Sequence, residues 1–281
     1  MSKILDGRKL GEKVLSIVAR EIKNRRLKLK LAIVFVGDNK IGKVYLRKKQ
    51  EACEKAGISF HIFGFPGNIP EAELEKEIEK IVRDTSNSGI IIQLPLPFNH
   101  LITQPLLNLI PPERDPDCLN EKSFKMFSER NDSVLPPVVA AIARFFKGYK
   151  IKAKGKDAVV VGQGRLVGLP VSIWLKQQGA KVVVCDNKTE DIASKLKKAD
   201  IIVSGAGSPG LIKGMMIKQG AIVIDCGTSM ENERTRGDVD FKSVSKKAGF
   251  ISPVPGGVGP LAVACLLENL VKLSQIHQIS I

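Results

Sequence analysis

Two groups of residues have the types and spacing that could do chemistry. Tyr45 and Lys49 stand four positions apart in the run YLRKKQEACEKAG, which places a phenol and an amine on one face of a helix. Such a pair can transfer protons if burial lowers the pKa of the lysine. Because Arg47 and Lys48 come directly before Lys49, a basic, solvated helix face is the alternative interpretation.

The second group is the glycine-rich run VVVGQGRLVGLP, in which Gly162, Gly164 and Gly168 link an apolar run to a helical pattern. Bare backbone at a strand-to-helix turn lets a pyrophosphate sit at the helix N-terminus. Asp186 closes the next apolar run, 22 residues after Gly164, where an acid can accept a hydrogen bond from a ribose 2′-hydroxyl. The pattern predicts a dinucleotide site. A plain tight turn, with Asp186 as a helix N-cap, is the alternative.

The elements that would position these groups alternate between buried strands and amphipathic helices, an order that predicts α/β architecture with parallel sheets. Strands are predicted at residues 31–37, 58–65, 89–94, 156–162, 180–186, 199–207, 220–227 and 249–254. Helices are predicted at residues 7–27, 43–57, 70–84, 166–179, 189–199 and 259–273. No internal repeat interrupts this alternation.

Length and proline content predict two α/β domains. The chain has 281 residues, which suits two domains, and residues 95–137 are rich in proline without a long periodic segment, so they are interpreted as the join. The first domain is predicted to cover residues 1–137. The second, residues 138–260, is predicted to be a Rossmann-type parallel sheet that binds a dinucleotide.

Composition excludes several classes of protein. No run of 18 apolar residues exists, so no membrane helix is expected, and the first residues have no apolar signal-peptide core. The five cysteines are scattered without a CxxC pair, which favours reduced thiols in the cytoplasm. Three distant histidines predict no metal site.

The net charge of +15 makes nucleic acid a partner to consider. Residues 1–60 alone carry sixteen Lys/Arg against six Asp/Glu. Since these basic residues interleave with apolar ones at helical spacing, a solvated helix face is the first interpretation and an anionic small substrate the second. Nucleic acid comes third and is not expected, because no aromatic platform or binding motif accompanies the charge.

Several runs together resemble one known family. They are GDN, YLRKKQEACEKAGI, GIIIQLPLP, RDPD, LVGLP, GAIVIDCG, GDVD and PVPGGVGP. In this order, around a Rossmann-type unit, they resemble the bifunctional methylenetetrahydrofolate dehydrogenase/methenyltetrahydrofolate cyclohydrolase enzymes of one-carbon metabolism. The resemblance runs nearly end to end. It implies oxidation of methylene- to methenyl-tetrahydrofolate with a nicotinamide cofactor, hydrolysis of methenyl- to formyl-tetrahydrofolate, and a homodimer.

The resemblance also implies roles for four side chains. Lys49 resembles the lysine that assists water attack on the methenyl carbon, and Tyr45 the tyrosine that stacks on the substrate. Gln93 matches the glutamine that hydrogen-bonds this lysine, and Asp117 matches the acid that holds the pterin N–H groups, although either could serve only local backbone structure.

Further binding residues are implied by the same comparison. The resemblance implies a ligand cleft between the two domains, bordered by Pro253–Leu261, where pterin and nicotinamide meet. It also implies that the first domain regains the C-terminal helix 261–281. The predicted substrate-binding residues are therefore Tyr45, Lys49, Gln93, Asp117, Pro255, Gly256 and Gly257. The predicted cofactor-binding residues are Gly162, Gln163, Gly164, Arg165, Gly168, Asp186, Asn187 and Thr228.

The chain departs from the family pattern in five places. Residues 115–118 read DPDC where the family has DVDG, and residues 134–137 read VLPP where it has PCTP. Residues 261–262 are LA instead of MT. In the nucleotide region, residues 162–164 read GQG where many members have GRS, and residues 186–187 read DN where they often have HS.

These departures leave cofactor and activity open. The family most often uses NADP, but the carboxylate of Asp186 would repel a 2′-phosphate and favours NAD, while Arg165 and Lys188 could rescue phosphate binding. A weakened or single-activity relative that binds folate or nucleic acid is an alternative. Another two-domain Rossmann dehydrogenase, acting on shikimate or an amino acid, is a second one.

Overall fold

The computed structural model describes residues 2–97, 100–130, 134–231 and 234–279. The chain forms two compact units. We call residues 12–137 with 263–281 the N-terminal unit, and residues 1–11 with 138–262 the C-terminal unit.

The secondary structure alternates along nearly the whole chain. In its first half the elements are β1 Lys3–Ile4, α1 Gly7–Arg25, β2 Lys30–Val36, α2 Lys40–Ala56, β3 Ser59–Phe65, α3 Glu71–Arg83, β4 Gly89–Ile92, α4 His100–Asn108 and α5 Glu121–Ser128. In its second half they are α6 Pro137–Gly148, β5 Asp157–Val161, α7 Gly168–Gln177, β6 Lys181–Cys185, α8 Ile192–Lys198, β7 Ile201–Ser204, β8 Ile222–Asp225, β9 Ser229–Glu231, β10 Arg234–Arg236, α9 Phe241–Val244, β11 Phe250–Ile251 and α10 Val258–Ile279.

The N-terminal unit is built on a three-stranded parallel sheet in the order β3-β2-β4. The central strand β2 is apolar and buried along nearly its whole length, as expected for a strand with neighbours on both sides. Its core also takes Leu106, Leu107, Ile110 and Leu119 from the segment 95–137. This segment, interpreted above as a join, therefore contributes α4, α5 and core side chains to the unit, because its apolar residues are buried despite its prolines.

The C-terminal unit is built on a six-stranded parallel sheet in the order β1-β11-β8-β7-β5-β6. Strand β5 lies between β6 and β7. The chain passes from β5 to β6 on one side and then returns to β7 on the other side of β5, so the direction of strand order reverses there. This reversal is the switch point at which doubly wound sheets bind ligands, at the carboxyl ends of the strands. The predicted α/β class with a Rossmann-type parallel sheet is confirmed.

The first residues of the chain lie with the C-terminal unit, whereas the sequence prediction placed them in the domain 1–137. Strand β1 pairs in parallel with β11, with Lys3 opposite Phe250 and Ile4 opposite Ile251. A two-residue strand has too short a pattern to reveal its partner, which explains the difference. No helix in the described part of the chain is both long and apolar enough to cross a membrane.

Candidate active site

A buried lysine and a glutamine meet in the N-terminal unit. Lys49 lies on α2 and is only 7% exposed, and its Nζ donates a hydrogen bond to Gln93 Oε1 at 3.0 Å. The Gln93 amide is oriented by its own Nε2, which donates to the Leu94 carbonyl at 2.8 Å. A buried amine without such a partner would be costly. The alternative of a solvated basic face is therefore wrong for Lys49, although Arg47 on the same helix is exposed.

Local structure fixes where this lysine stands. Helix α2 begins at the cap Asn39, whose side chain accepts from the Gly42 N–H at 3.1 Å. It ends at Gly57 with φ of 75°, a left-handed conformation that suits glycine. The main chain of Gln93 extends the strand edge beyond β4, since its N–H donates to the Val34 carbonyl at 2.9 Å. Both partners of the Lys49–Gln93 contact are thus set by regular structure.

Asp117 and Tyr45 belong to the same region. Asp117 is partly buried, and burial raises its pKa while the charge of Lys49 acts in the opposite direction. Tyr45 lies one turn before Lys49, partly buried, with the Lys48 ammonium 5.6 Å from its ring centroid. The structure therefore brings Lys49 and Gln93 into direct contact and places Asp117 within the electrostatic reach of the lysine.

The loop around Asp117 has a left-handed residue at the position of the missing family glycine. Cys118, at the glycine position, is buried and has a φ of 56°, which is left-handed. This conformation costs a non-glycine residue about 1–2 kcal/mol. Asp115 anchors the same loop, accepting from the Asn120 N–H at 2.8 Å, and burial raises the pKa of Asp115 to about 6.

The glycine turn of the C-terminal unit has the close approaches that a dinucleotide turn needs. Gly162 has a φ of 99°, and a Cβ there would lie 2.7 Å from the carbonyl oxygen of Gly205. A Cβ on Gly168 would overlap the Gly162 carbonyl, so this glycine lets α7 start directly beneath the turn. A Cβ on Gly164 would instead enter open space. The bare backbone at Gly164 fits a pyrophosphate at the start of α7.

Asp186 follows β6 and is linked to this turn. Its Oδ2 accepts from Gln163 Nε2 at 3.0 Å, while Oδ1 accepts from the Lys188 N–H at 3.0 Å and Thr189 Oγ1 at 2.9 Å. The Thr189 hydrogen bond is the main reason why the pKa of Asp186 lies below its usual range. Asp186 is not the N-cap of α8, because Asp191 has that role.

The remaining predicted cofactor residues lie along the same strand ends. Arg165 is in the turn before α7, Asn187 is exposed directly after Asp186, and Thr228 is partly buried after β8. The contact between Gln163 and Asp186 joins two of the predicted residues directly.

The run PVPGGVGP has a structural use for its glycines. The Gly256 carbonyl accepts from the N–H groups of Gly7 at 3.0 Å and Arg8 at 3.1 Å, at the start of α1. Gly256 has a φ of 111°, and a Cβ on Gly257 would lie 2.5 Å from the Pro253 carbonyl oxygen. The loop therefore closes tightly on α1, and substrate contact by Pro255, Gly256 and Gly257 stays a prediction.

Sequence reasoning missed two buried acids in the C-terminal unit. Asp225 is 3% and Asp238 0% exposed, and their side chains accept hydrogen bonds from several backbone N–H groups. They lie in the runs GAIVIDCG and GDVD, which were noted only as part of the family pattern. An acid at the end of a buried strand was the signal that could have found Asp225, whereas Asp238 follows the exposed strand β10 and had no such signal.

Fold and site define a class of two-unit α/β proteins with a glycine turn at a sheet switch point and a buried lysine–glutamine pair. Family models agree: residues 5–117 match the tetrahydrofolate dehydrogenase/cyclohydrolase catalytic domain, and residues 136–278 match the NAD(P)-binding domain of the same enzymes. The chain belongs to the tetrahydrofolate dehydrogenase/cyclohydrolase family. The predicted enzyme class, with a folate substrate and a nicotinamide cofactor, is confirmed, and the shikimate or amino-acid dehydrogenase alternative is not favoured.

Individual relatives cover nearly the whole chain. The Bifunctional protein FolD of Nautilia profundicola is 40% identical over 276 residues, 97% of each chain. The crystal structure of the bifunctional dehydrogenase/cyclohydrolase from Campylobacter jejuni is 36% identical, with a TM-score of 0.92 over 99% of this chain and 100% of that one. The Trypanosoma brucei enzyme, complexed with NADP and an inhibitor, is 33% identical, with a TM-score of 0.93 over 99% and 98%.

Proposed function

We propose that Lys49 is the proton-transfer group with which this chain hydrolyses methenyl-tetrahydrofolate to formyl-tetrahydrofolate. The observation that carries the proposal is the 3.0 Å hydrogen bond between the buried Lys49 amine and Gln93. Gln93 fixes the amine in one position. From there Nζ assists the attack of water on the methenyl carbon and the proton transfers that open the bridge.

Asp117 and Tyr45 hold the substrate in this proposal. A carboxylate facing two parallel N–H donors matches the amino and ring N–H edge of a pterin. The partly buried ring of Tyr45, one turn before Lys49, offers a face on which the pterin can stack. The position of Asp117 within the electrostatic reach of Lys49 supports a shared substrate.

The C-terminal unit supplies the cofactor site for the dehydrogenase step. The turn Gly162–Gly168 would hold the pyrophosphate, with Arg165, Asn187 and Thr228 beside it, and Asp186 would hold the adenosine ribose. A nicotinamide held there would supply the acceptor for the hydride that leaves the methylene carbon of the folate. The open space at Gly164 and the close approach of Gly162 to Gly205 support this assignment.

The preferred cofactor is NAD. Hydrogen bonds lower the pKa of Asp186, so this carboxylate is ionised at neutral pH and would repel a 2′-phosphate. A ribose 2′-hydroxyl can instead replace Gln163 as the donor to Oδ2. The preference would differ from that of the trypanosomal relative, which is described with NADP.

Compartment and assembly complete the proposal. All five cysteines lie in the described part of the chain and none forms a disulfide there, which supports a reducing cytoplasm.

A homodimer through the C-terminal units is supported by β6, an edge strand of the sheet in the described residues, on which Val183 is 48% exposed. Light scattering of the purified protein measures this state directly.

A spectrophotometric assay tests the proposed function. The purified chain should reduce NAD faster than NADP in the presence of methylene-tetrahydrofolate. Without any cofactor it should hydrolyse methenyl-tetrahydrofolate, and the loss of methenyl absorbance measures this reaction. Absence of hydrolysis would refute the role of Lys49 and Gln93, and a faster rate with NADP would refute the role of Asp186.

A further inference from the structure

Two carboxylates at the carboxyl edge of the six-stranded sheet have no part in the chemistry described above. Asp225 ends β8, and Asp238 follows β10 two residues later in the chain; both are nearly inaccessible to solvent. Burying two acids close together is costly unless each accepts enough hydrogen bonds. The groups that donate hydrogen bonds to these two carboxylates show which backbone segments the carboxylates hold in place.

The Asp238 carboxylate accepts hydrogen bonds from the end of β7 and from the loop that follows it. Its Oδ2 accepts from Ser204 Oγ and from the Ala206 N–H, each at 2.7 Å. Its Oδ1 accepts from the Ser208 N–H at 2.8 Å. The Ser204 hydroxyl and the N–H groups of Ala206 and Ser208 therefore point at one carboxylate, which fixes the loop backbone.

Asp225 in turn holds Asp238. Its Oδ1 accepts from the N–H groups of Gly227 at 2.9 Å and Asp238 at 3.1 Å, and its Oδ2 accepts from the Val239 N–H at 3.0 Å. Two glycines make room for the pair, because a Cβ on Gly227 would overlap the Asp238 carboxylate and a Cβ on Gly237 would overlap that of Asp225. This close fit explains the glycines of the runs DCG and GDVD.

The loop held by Asp238 lies against the nucleotide turn. The Gly205 carbonyl oxygen would be 2.7 Å from a Cβ on Gly162, and a Cβ on Gly205 would be 2.5 Å from Val167. Strands β5 and β7 are neighbours at the switch point, so this loop forms the second wall of the crevice in which such sheets bind ligands.

We propose that Asp238 is a positioning residue for the dinucleotide, which sets the loop 205–208 against the glycine turn, and that Asp225 positions Asp238. The inference rests on the proposed function, since it assigns a dinucleotide to this crevice. Neither acid needs to touch the cofactor.

Asp238→Asn tests the proposal, with Asp240→Asn as the matched control. Asparagine keeps the size, but its NH₂ cannot accept a hydrogen bond, so one oxygen position loses its donors. Asp240 is in the same run and undergoes the same chemical change, but its side chain makes no hydrogen bond to the loop 205–208 among those described. Binding of NADH and NADPH is titrated by their fluorescence, and KM and kcat are measured for the dehydrogenase.

We expect Asp238→Asn to raise the Kd and KM of the nicotinamide cofactor by at least about tenfold, with kcat at saturating cofactor largely retained. Asp240→Asn should leave Kd within about twofold. The single tryptophan, Trp174, is buried on α7, so its emission reports whether the C-terminal unit stays folded. A merely structural role would change this emission and the thermal midpoint instead of separating KM from kcat.

The outcomes are distinct. If the wild-type chain binds neither cofactor, the proposed function fails. If it binds one and folded Asp238→Asn binds that cofactor equally well, only the present inference fails. If Asp238→Asn does not fold, Ser204→Ala removes a single donor from the same carboxylate and should raise Kd by about threefold; an unchanged Kd would then overturn the inference.

Discussion

The two candidate sites are built from opposite materials. In the N-terminal unit the proposed working groups are buried or partly buried side chains, and Lys49 contacts a residue 44 positions away in the chain. In the C-terminal unit the working groups are bare backbone at Gly162–Gly168 and a solvent-accessible acid, Asp186. Proton transfer needs a charge removed from water, whereas a diphosphate needs N–H groups and space. The first site therefore depends on tertiary contacts and the second largely on local sequence.

Lys49→Met tests most strongly whether the first site depends on a buried side chain. Methionine fills a similar volume without the amine, so hydrolysis of methenyl-tetrahydrofolate should fall by about 10³-fold, within the range of general acid–base catalysis. Cofactor binding should be unchanged, because the C-terminal unit is untouched. Arg47→Met, on the exposed face of the same helix, should retain the wild-type rate. Hydrolysis by Lys49→Met at that rate would show that the buried amine is not needed.

Asp115→Asn tests whether burial raises the pKa of the Asp115 carboxyl in the loop around Asp117. The folded-state pKa of about 6 lies above the ordinary value of 3.8, so the stability contributed by protonated Asp115 is full below about pH 4 and is lost as pH rises through 6. The destabilisation caused by Asp115→Asn should therefore shrink by up to about 3 kcal/mol from pH 4 to pH 7. Urea unfolding at both pH values measures it, and a constant difference would contradict the buried charge.

Gly168→Ala tests the backbone side of the comparison. The added Cβ would overlap the Gly162 carbonyl, and such overpacking costs about 1–3 kcal/mol. We expect weaker cofactor binding with hydrolysis retained. Gly64→Ala, where a Cβ meets no atom within 4 Å, should leave cofactor binding unaltered. Equal titration curves for Gly168→Ala and wild type would mean that the turn tolerates a side chain.

Asp186→Ser should have the smallest effect. It removes the charge that opposes a 2′-phosphate, so the ratio of kcat/KM for NADP over NAD should rise by about tenfold, or about 1.4 kcal/mol. Asp191→Ser removes an equal charge nearby while serine can still cap α8, and should not shift the ratio. If both variants keep the wild-type ratio, Asp186 does not select the cofactor.

The same contrast explains what the sequence could predict. Apolar periodicity and glycine spacing predicted most strands and the nucleotide turn, because both are local properties. The Lys49–Gln93 pair was reached only through family resemblance, since no local pattern joins two residues so far apart. The hydrogen bonds of Asp225 and Asp238, the place of β1, and the core contribution of residues 95–137 depend on tertiary packing, and proline content even pointed away from the last of these.

The pairing of β1 with β11 has a consequence for the order of folding. Lys3 lies opposite Phe250, and the first N–H groups of α1 donate to the carbonyl of Gly256, so residues 3–8 can form these contacts only after residues 250–256 have been synthesised. Contacts of such long sequence separation slow folding. A nascent chain arrested before residue 250 would keep its N-terminal strand unsatisfied and open to pairing with other chains.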